Sequence, residues 1–280
     1  MRKTRVPTTT TIPVIFVGLF IGTYFLPDAN QAFLKQFTQW MLPILEVGVL
    51  AFIVIKVRNR INKVKTLEHT SSDFFTQLIT ACREIIPRKF VMPLATEVAV
   101  FYYGLFKWKS RSTLNNEFTN HKRSGTPALL WGLVLIIAVE TFVIHLLLMR
   151  WNATAAWILS GLSIYAGIQV IGFAQSLAHR PILITKDALV LRYGILNEVE
   201  IKLNDVVCVE LSRANLTKDQ GVKKLSPLGE LERHNVLIQC SKDYTLIGLW
   251  GIRKTFKTIA LHVDKPEIFR IAIIDARASI

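Results

Sequence analysis

The chain has 280 residues, 51% of them hydrophobic, with 34 Lys and Arg against 20 Asp and Glu for a net charge of +14. Mean hydropathy is +0.37. This composition argues against a disordered chain and against a single small soluble domain. The basic balance leaves nucleic acid, an anionic membrane surface, or the loop bias of a membrane protein as its explanation. Cys82, Cys208 and Cys240 are scattered. With no CxxC and no His at metal spacing, they read as reduced thiols in a cytosolic setting and imply no metal site.

The apolar residues are gathered in long runs. Four of these, Thr11–Leu26, Met41–Ile55, Pro127–Met149 and Ala153–Ala178, predict membrane helices. A span needs about 20 mostly apolar residues to cross roughly 30 Å of hydrocarbon. The last two meet this length and the first two need their flanks. Arg2, Lys3 and Arg5 precede the first run as they would a signal peptide, but no small-residue cleavage site follows, so a retained helix is expected. Gly18 and Gly22 form a GxxxG spacing that suits close helix packing.

Loop charges set the orientation. Lys56, Arg58, Arg60, Lys63 and Lys65 follow the second run, whereas the links inside the two hairpins carry little charge. The arrangement that collects the basic clusters on one side puts both termini and the 57–126 loop in the cytoplasm. The cell inner (cytoplasmic) membrane is the expected location. Residues 56–126 hold 13 Lys and Arg against 5 Asp and Glu, while the chain from 178 holds 16 against 12. The surplus thus lies beside the membrane, where anionic lipid headgroups attract it. No nucleic-acid partner is expected.

Within the loop, Phe90–Phe106 is apolar and aromatic but carries Glu97 near its centre. It reads as an interfacial helix in preference to a fifth span. From Arg180 the texture changes to short alternating runs at 182–185, 188–193, 198–203, 206–211, 235–240 and 244–250. Ser241-Lys242-Asp243 reads as a hairpin turn between the last two, and residues 212–234 as a long polar loop. A strand near Lys257–Val263 and a helix capped by Asp264 complete the pattern. Ile268, Phe269, Ala272 and Ile273 fall on one face of that helix.

The segment ITKDALVLRYGILNEVEIKLNDVVCVEL, with its turn at Gly194 and its Asn204-Asp205 punctuation, resembles the bacterial pleckstrin-homology-like domains attached to membrane helices. The resemblance covers roughly residues 181–275. It implies a small barrel or sandwich plugged by a C-terminal helix, and names no ligand. A second resemblance, carried by Glu97, Tyr102, Tyr103, Trp108 and FTNHKRSG with His121, is to uncharacterised bacterial membrane proteins. Some of those are described as carotene oxygenases; the four iron-binding histidines of such enzymes have no counterpart in this chain.

The expected fold is therefore an α-helical membrane bundle of four spans plus a C-terminal all-β pleckstrin-homology-like barrel or sandwich capped by a helix. Its parts are a first hairpin at 1–56, the basic loop at 57–126, a second hairpin at 127–178 and the cytoplasmic β domain at 179–280. Two residue sets suggest chemistry. Glu46, Glu140, His145 and Gln169 lie in predicted spans, where ionisable groups are costly and mark functional sites. Glu140 and His145 are five residues apart, about 140° around a helix. Glu97 and His121 form a candidate pair at the membrane surface. No nucleophile elbow, phosphate loop or dinucleotide fingerprint is present. The leading expectation is a membrane scaffold presenting a β module to protein or lipid, without a cofactor, able to self-associate. The alternative is a membrane enzyme or a proton or small-molecule transporter using one of the two residue sets.

Overall fold

A computed structural model describes residues 73–108, 116–214 and 221–278. The predicted helices 11–26 and 41–55 lie outside these residues. The chain divides into two units, Met1–Val91 and Met92–Ile280. In the first, α1 (Phe74–Ile85) buries Phe75, Leu78, Ala81 and Cys82, which recur at helical spacing along one face. Helix α2 (Arg88–Phe101) passes from the first unit into the second and continues as a π-helical turn, Tyr102–Phe106.

In the second unit, β1 (Glu117–Phe118) leads to α3 (Thr126–Met149) and α4 (Ala153–His179). These two are 24 and 27 residues long, with mean hydropathy of 2.4 and 1.5 over their most apolar stretches. At about 1.5 Å per residue each exceeds the roughly 30 Å of a hydrocarbon core. Both are long and apolar enough to cross a membrane. Their turn is closed by Asn152, whose Oδ1 accepts the Ala155 N–H at 3.1 Å, an N-cap. Trp151 and Trp157 stand exposed near that turn, and Trp131 near the opposite end of the hairpin. Such a two-level placement suits a pair of membrane interfaces.

The remaining strands are β2 (Ile182–Ile184), β3 (Ala188–Tyr193), β4 (Asn197–Lys202), β5 (Val206–Leu211), β6 (Val222–Lys224), β7 (Val236–Gly248) and β8 (Arg253–Leu261), followed by α5 (Pro266–Ala278). They form one sheet of order β1-β2-β3-β4-β7-β8-β6, with β5 also paired to β7. All pairs are antiparallel except β6 with β8. β7 serves two neighbours on one side because it bends. Its first half pairs with β5 and its last residues with β4, and a bulge sets Cys240–Asp243 against the single residue Lys257.

This corrects the expected fold class. Among the described residues only two helices have the length and apolarity of membrane spans, and the bulk is an eight-stranded mixed sheet with helices. It is neither a four-span bundle nor a barrel confined to 179–280. Inside the sheet, Leu189, Leu191, Ile201, Ile238 and Ile259 are fully buried. β1 was unreadable because two residues inside a basic loop carry no period-2 signal. Ser241-Lys242-Asp243 is part of the bulge, not a turn. The hairpin turns instead at Leu249–Ile252, where Trp250 and Gly251 have φ of 56° and 86°. Two successive positive-φ residues match the twist of the flanking strands.

One buried cluster runs from the sheet into the ends of the helical hairpin. Leu130 of α3 and Leu177 of α4 belong to it together with Phe118, Leu191, Ile238, Phe269 and Ile273. On α5, Phe269 and Ile273 face this core and Ile268 faces solvent, which corrects the expected four-residue face. Asp264 does not cap α5. Its carboxylate accepts the backbone N–H groups of Lys122 and Arg123 at 3.1 and 2.7 Å, tying the entry to α3 onto the end of β8.

The exit from α4 is fixed as firmly. Arg180 is fully buried; it donates to the Gly194 carbonyl at 2.6 Å and to Glu198 Oε2 at 2.8 Å, and Arg192 donates to Glu198 Oε1 at 3.0 Å. Gly194 has φ 53°, and a Cβ there would lie 2.3 Å from Ser176 Oγ. That oxygen accepts the Ile195 N–H at 3.2 Å, so only glycine lets the β3–β4 turn reach α4.

Candidate functional site

Glu140 and His145 of α3 line one small pocket of about 170 Å³ between α3 and α4, with Thr141, Ser160 and Ser163. His145 Nδ1 is 2.7 Å from Ser160 Oγ, and its ring stands edge-on to Trp157 at 5.0 Å. The angular gap between Glu140 and His145 does not separate them, because the pocket spans more than one helical turn. Glu140 lies exposed near the middle of α3. Among the described residues no carboxylate hydrogen-bonds His145, so a nucleophile–base–orienter chain is incomplete. Glu46 lies outside the described residues.

Gln169 belongs to a different group. Its Nε2 donates to Glu97 Oε2 and to the Tyr165 hydroxyl, both at 2.8 Å, and Tyr165 donates to the same Glu97 oxygen at 2.8 Å. Tyr165 sits near the midpoint of α4. Glu97 is therefore roughly 20 Å along α4 from His179 at about 1.5 Å per residue. Glycines allow this packing of α2 on α4. A Cβ on Gly172 would lie 2.5 Å from the Val100 carbonyl oxygen, and one on Gly104 would lie 3.2 Å from the Ile168 oxygen. Sequence spacing within α4 gave no hint of this, since the glycine partner lies on another helix.

His121 is not brought to Glu97. It sits at the sheet end of the hairpin, among Asp264, Lys122 and His179. Burial holds its pKa below the ordinary histidine value, against the opposing pull of Asp264. Its Nδ1 is buried without a hydrogen-bond partner. Among the described residues no group of three or more His, Cys, Asp or Glu side chains could hold a metal ion.

A cavity of about 1200 Å³ opens beside that same end, next to the start of α3. Arg123, Arg213, Lys224 and Arg233 line it with His234 and His262; Glu230 and Glu232 are also on its wall. Its frame is the sheet terminus. Asn235 donates to the Leu261 and Val263 carbonyls and accepts the Val263 N–H, while Ser212 N–H donates to the Asn235 carbonyl. Lys224 Nζ donates to the carbonyls of Gly229 at 2.9 Å and Glu232 at 3.4 Å. Glu232 Oε2 accepts from Ser226 at 2.6 Å and from the Tyr193 hydroxyl, whose pKa is raised chiefly by burial. Burial likewise lowers the pKa of His234, with Lys224 adding to the effect.

These residues escaped the sequence reading because they come from four separated segments. Domain-wide charge counting averaged them against acidic residues elsewhere. The sequence signal was the clustering of Arg213, Lys224 and Arg233 in the polar 212–234 stretch. Compared with protein-family models, with curated proteins and with solved structures, the chain matches none of them.

Proposed function

We propose that this protein is an integral membrane scaffold. Its α3–α4 hairpin crosses the cell inner membrane and mounts the sheet domain on the cytoplasmic face for contact with protein or lipid, as its resemblance to pleckstrin-homology-like modules implies. The observation that carries this reading is the join. The hairpin exposes Leu135, Phe142, Ile158 and Leu162 along its length, yet its sheet-side ends share one buried core with the strands. A bare apolar hairpin suits lipid, and a shared core gives a fixed mount in place of a flexible tether. Lys122 and Arg123 at the sheet-side end, against Arg150 alone in the opposite turn, support the cytoplasmic placement. Resistance of the protein to alkaline-carbonate extraction of membranes tests the anchor; release into the soluble fraction would refute it.

The pocket at Glu140 and His145 favours a second reading, passage of a proton or small molecule between α3 and α4. Glu140→Gln and His145→Ala separate the two. Under the scaffold reading both variants retain cellular function while truncation after Arg180 abolishes it; the reverse pattern favours passage.

A further inference from the structure

We propose that the cavity between the β6–β7 segment and the start of α3 binds a phosphate ester, with Arg123, Arg213 and Arg233 as its anion-binding groups. The site rests on the reading of the sheet domain as a binding module at the membrane. Three observations support it. First, Arg123, Arg213 and Arg233 line one cavity, and among the described residues none of them stands in an ion pair. Guanidinium groups match phosphate oxygens through paired N–H donors, and they recur wherever planar recognition of that anion is needed. Among the described residues neither carboxylate on the wall, Glu230 or Glu232, is ion-paired with them. Glu232 accepts from the hydroxyls of Tyr193 and Ser226, and Lys224 is anchored on two carbonyls.

Second, the wall holds a polar group left without a partner. His234 is 7% exposed and its Nε2 is buried with no hydrogen-bond partner, whereas His262 Nε2 has Asp264 Oδ1 at 3.8 Å. Buried polar atoms are nearly always satisfied, so the orphan imidazole nitrogen of His234 on the cavity wall points to a missing partner. Third, the cavity is far larger than a bare phosphate needs, which favours a phosphate carrying an organic group. It lies one turn of chain from the start of α3, where the proposed anchor meets the headgroup layer. The anion therefore has two sources, a phospholipid headgroup or a soluble phosphate compound.

Calorimetric titration of the full-length protein in uncharged detergent micelles distinguishes them. The probes are inorganic phosphate, short-chain phosphatidylglycerol, and short-chain phosphatidylcholine as the zwitterionic control. Binding of phosphatidylglycerol but not inorganic phosphate assigns the site to an anionic headgroup; binding of inorganic phosphate assigns it to the free anion as well. In either case the R213A/R233A variant loses at least about tenfold in affinity, because it removes two of the three forks. K186A/K254A, which removes the same charge elsewhere on the domain, stays close to the parent. The proposal is overturned by binding of neither anionic probe, by equal binding of phosphatidylcholine, or by equal losses in the two double variants. Carbonate extraction of the same variants keeps the anchor separate: a protein that stays in the membrane but binds no phosphate refutes the site alone.

Discussion

Arg180 is a severe test of how the hairpin and the sheet are joined. Its guanidinium is fully buried and makes charge-assisted hydrogen bonds to Gly194 and Glu198. Arg180→Met keeps most of the apolar volume of the side chain and removes the cation. Breaking a buried pair by deleting one partner costs about 3–5 kcal/mol. Glu198 is 28% exposed and retains Arg192 at 3.0 Å, so the lower end, about 3 kcal/mol, applies. For a unit the size of Met92–Ile280 that corresponds to a fall in Tm of roughly 6–12 °C. The assay is thermal unfolding of the full chain in micelles, followed by near-ultraviolet circular dichroism. It is run as a double-mutant cycle with Glu198→Gln, and a coupling of about 1–3 kcal/mol is expected. An R180M effect below about 0.5 kcal/mol, the level of an ordinary surface change, would refute the buried join.

Other expectations follow from the same geometry. Gly194→Ala forces a Cβ against Ser176 in a left-handed turn and should cost more than the 1–2 kcal/mol or so of the backbone term alone; a Tm within error of the parent contradicts the close approach. Gly172→Leu should detach α2 from α4, read as a gain in hydrogen exchange over 92–106 that Gly161→Leu, facing open space, does not give. Glu97→Leu leaves the Tyr165 and Gln169 donors only each other, for a loss of about 1 kcal/mol by unfolding in micelles. His121 and His234 both have lowered folded pKa values. Their neutral forms are favoured in the fold, so the associated stability is complete above about pH 6.5 and is lost as pH falls through and below that value. His121→Gln combined with His234→Gln should flatten the decline between about pH 7 and 5; an unchanged slope would assign the decline to other groups.

Much of the local structure was legible in the sequence. The runs 188–193 and 206–211 are strands because alternation and bounding turn residues leave little choice, and α3 and α4 follow from uninterrupted apolar length. The long-range features were not legible. β1 is too short to carry a period, and the Ser241-Lys242-Asp243 triplet has turn chemistry but is absorbed as a bulge in a strand already paired on both sides. At the sites, Glu140 and His145 were legible as polar residues of one apolar helix, and the structure shows both lining one pocket. Gln169 was grouped with them by depth alone, and its partner Glu97 comes from a helix that the reading had placed at the surface. Arg180 marked only the change of texture after the fourth apolar run, whereas its carboxylate partner lies 18 residues on, in a strand.

In the proposed arrangement the α3–α4 hairpin crosses the membrane with the sheet domain held at one end. Labelling with a membrane-impermeant maleimide tests it directly, using Asn152→Cys in the hairpin turn and Lys186→Cys in the β2–β3 turn against the unsubstituted chain. With the sheet domain on the cytoplasmic face, Asn152→Cys reacts in intact cells and Lys186→Cys reacts only after the membrane is permeabilised. Labelling of both positions from the same side would contradict it.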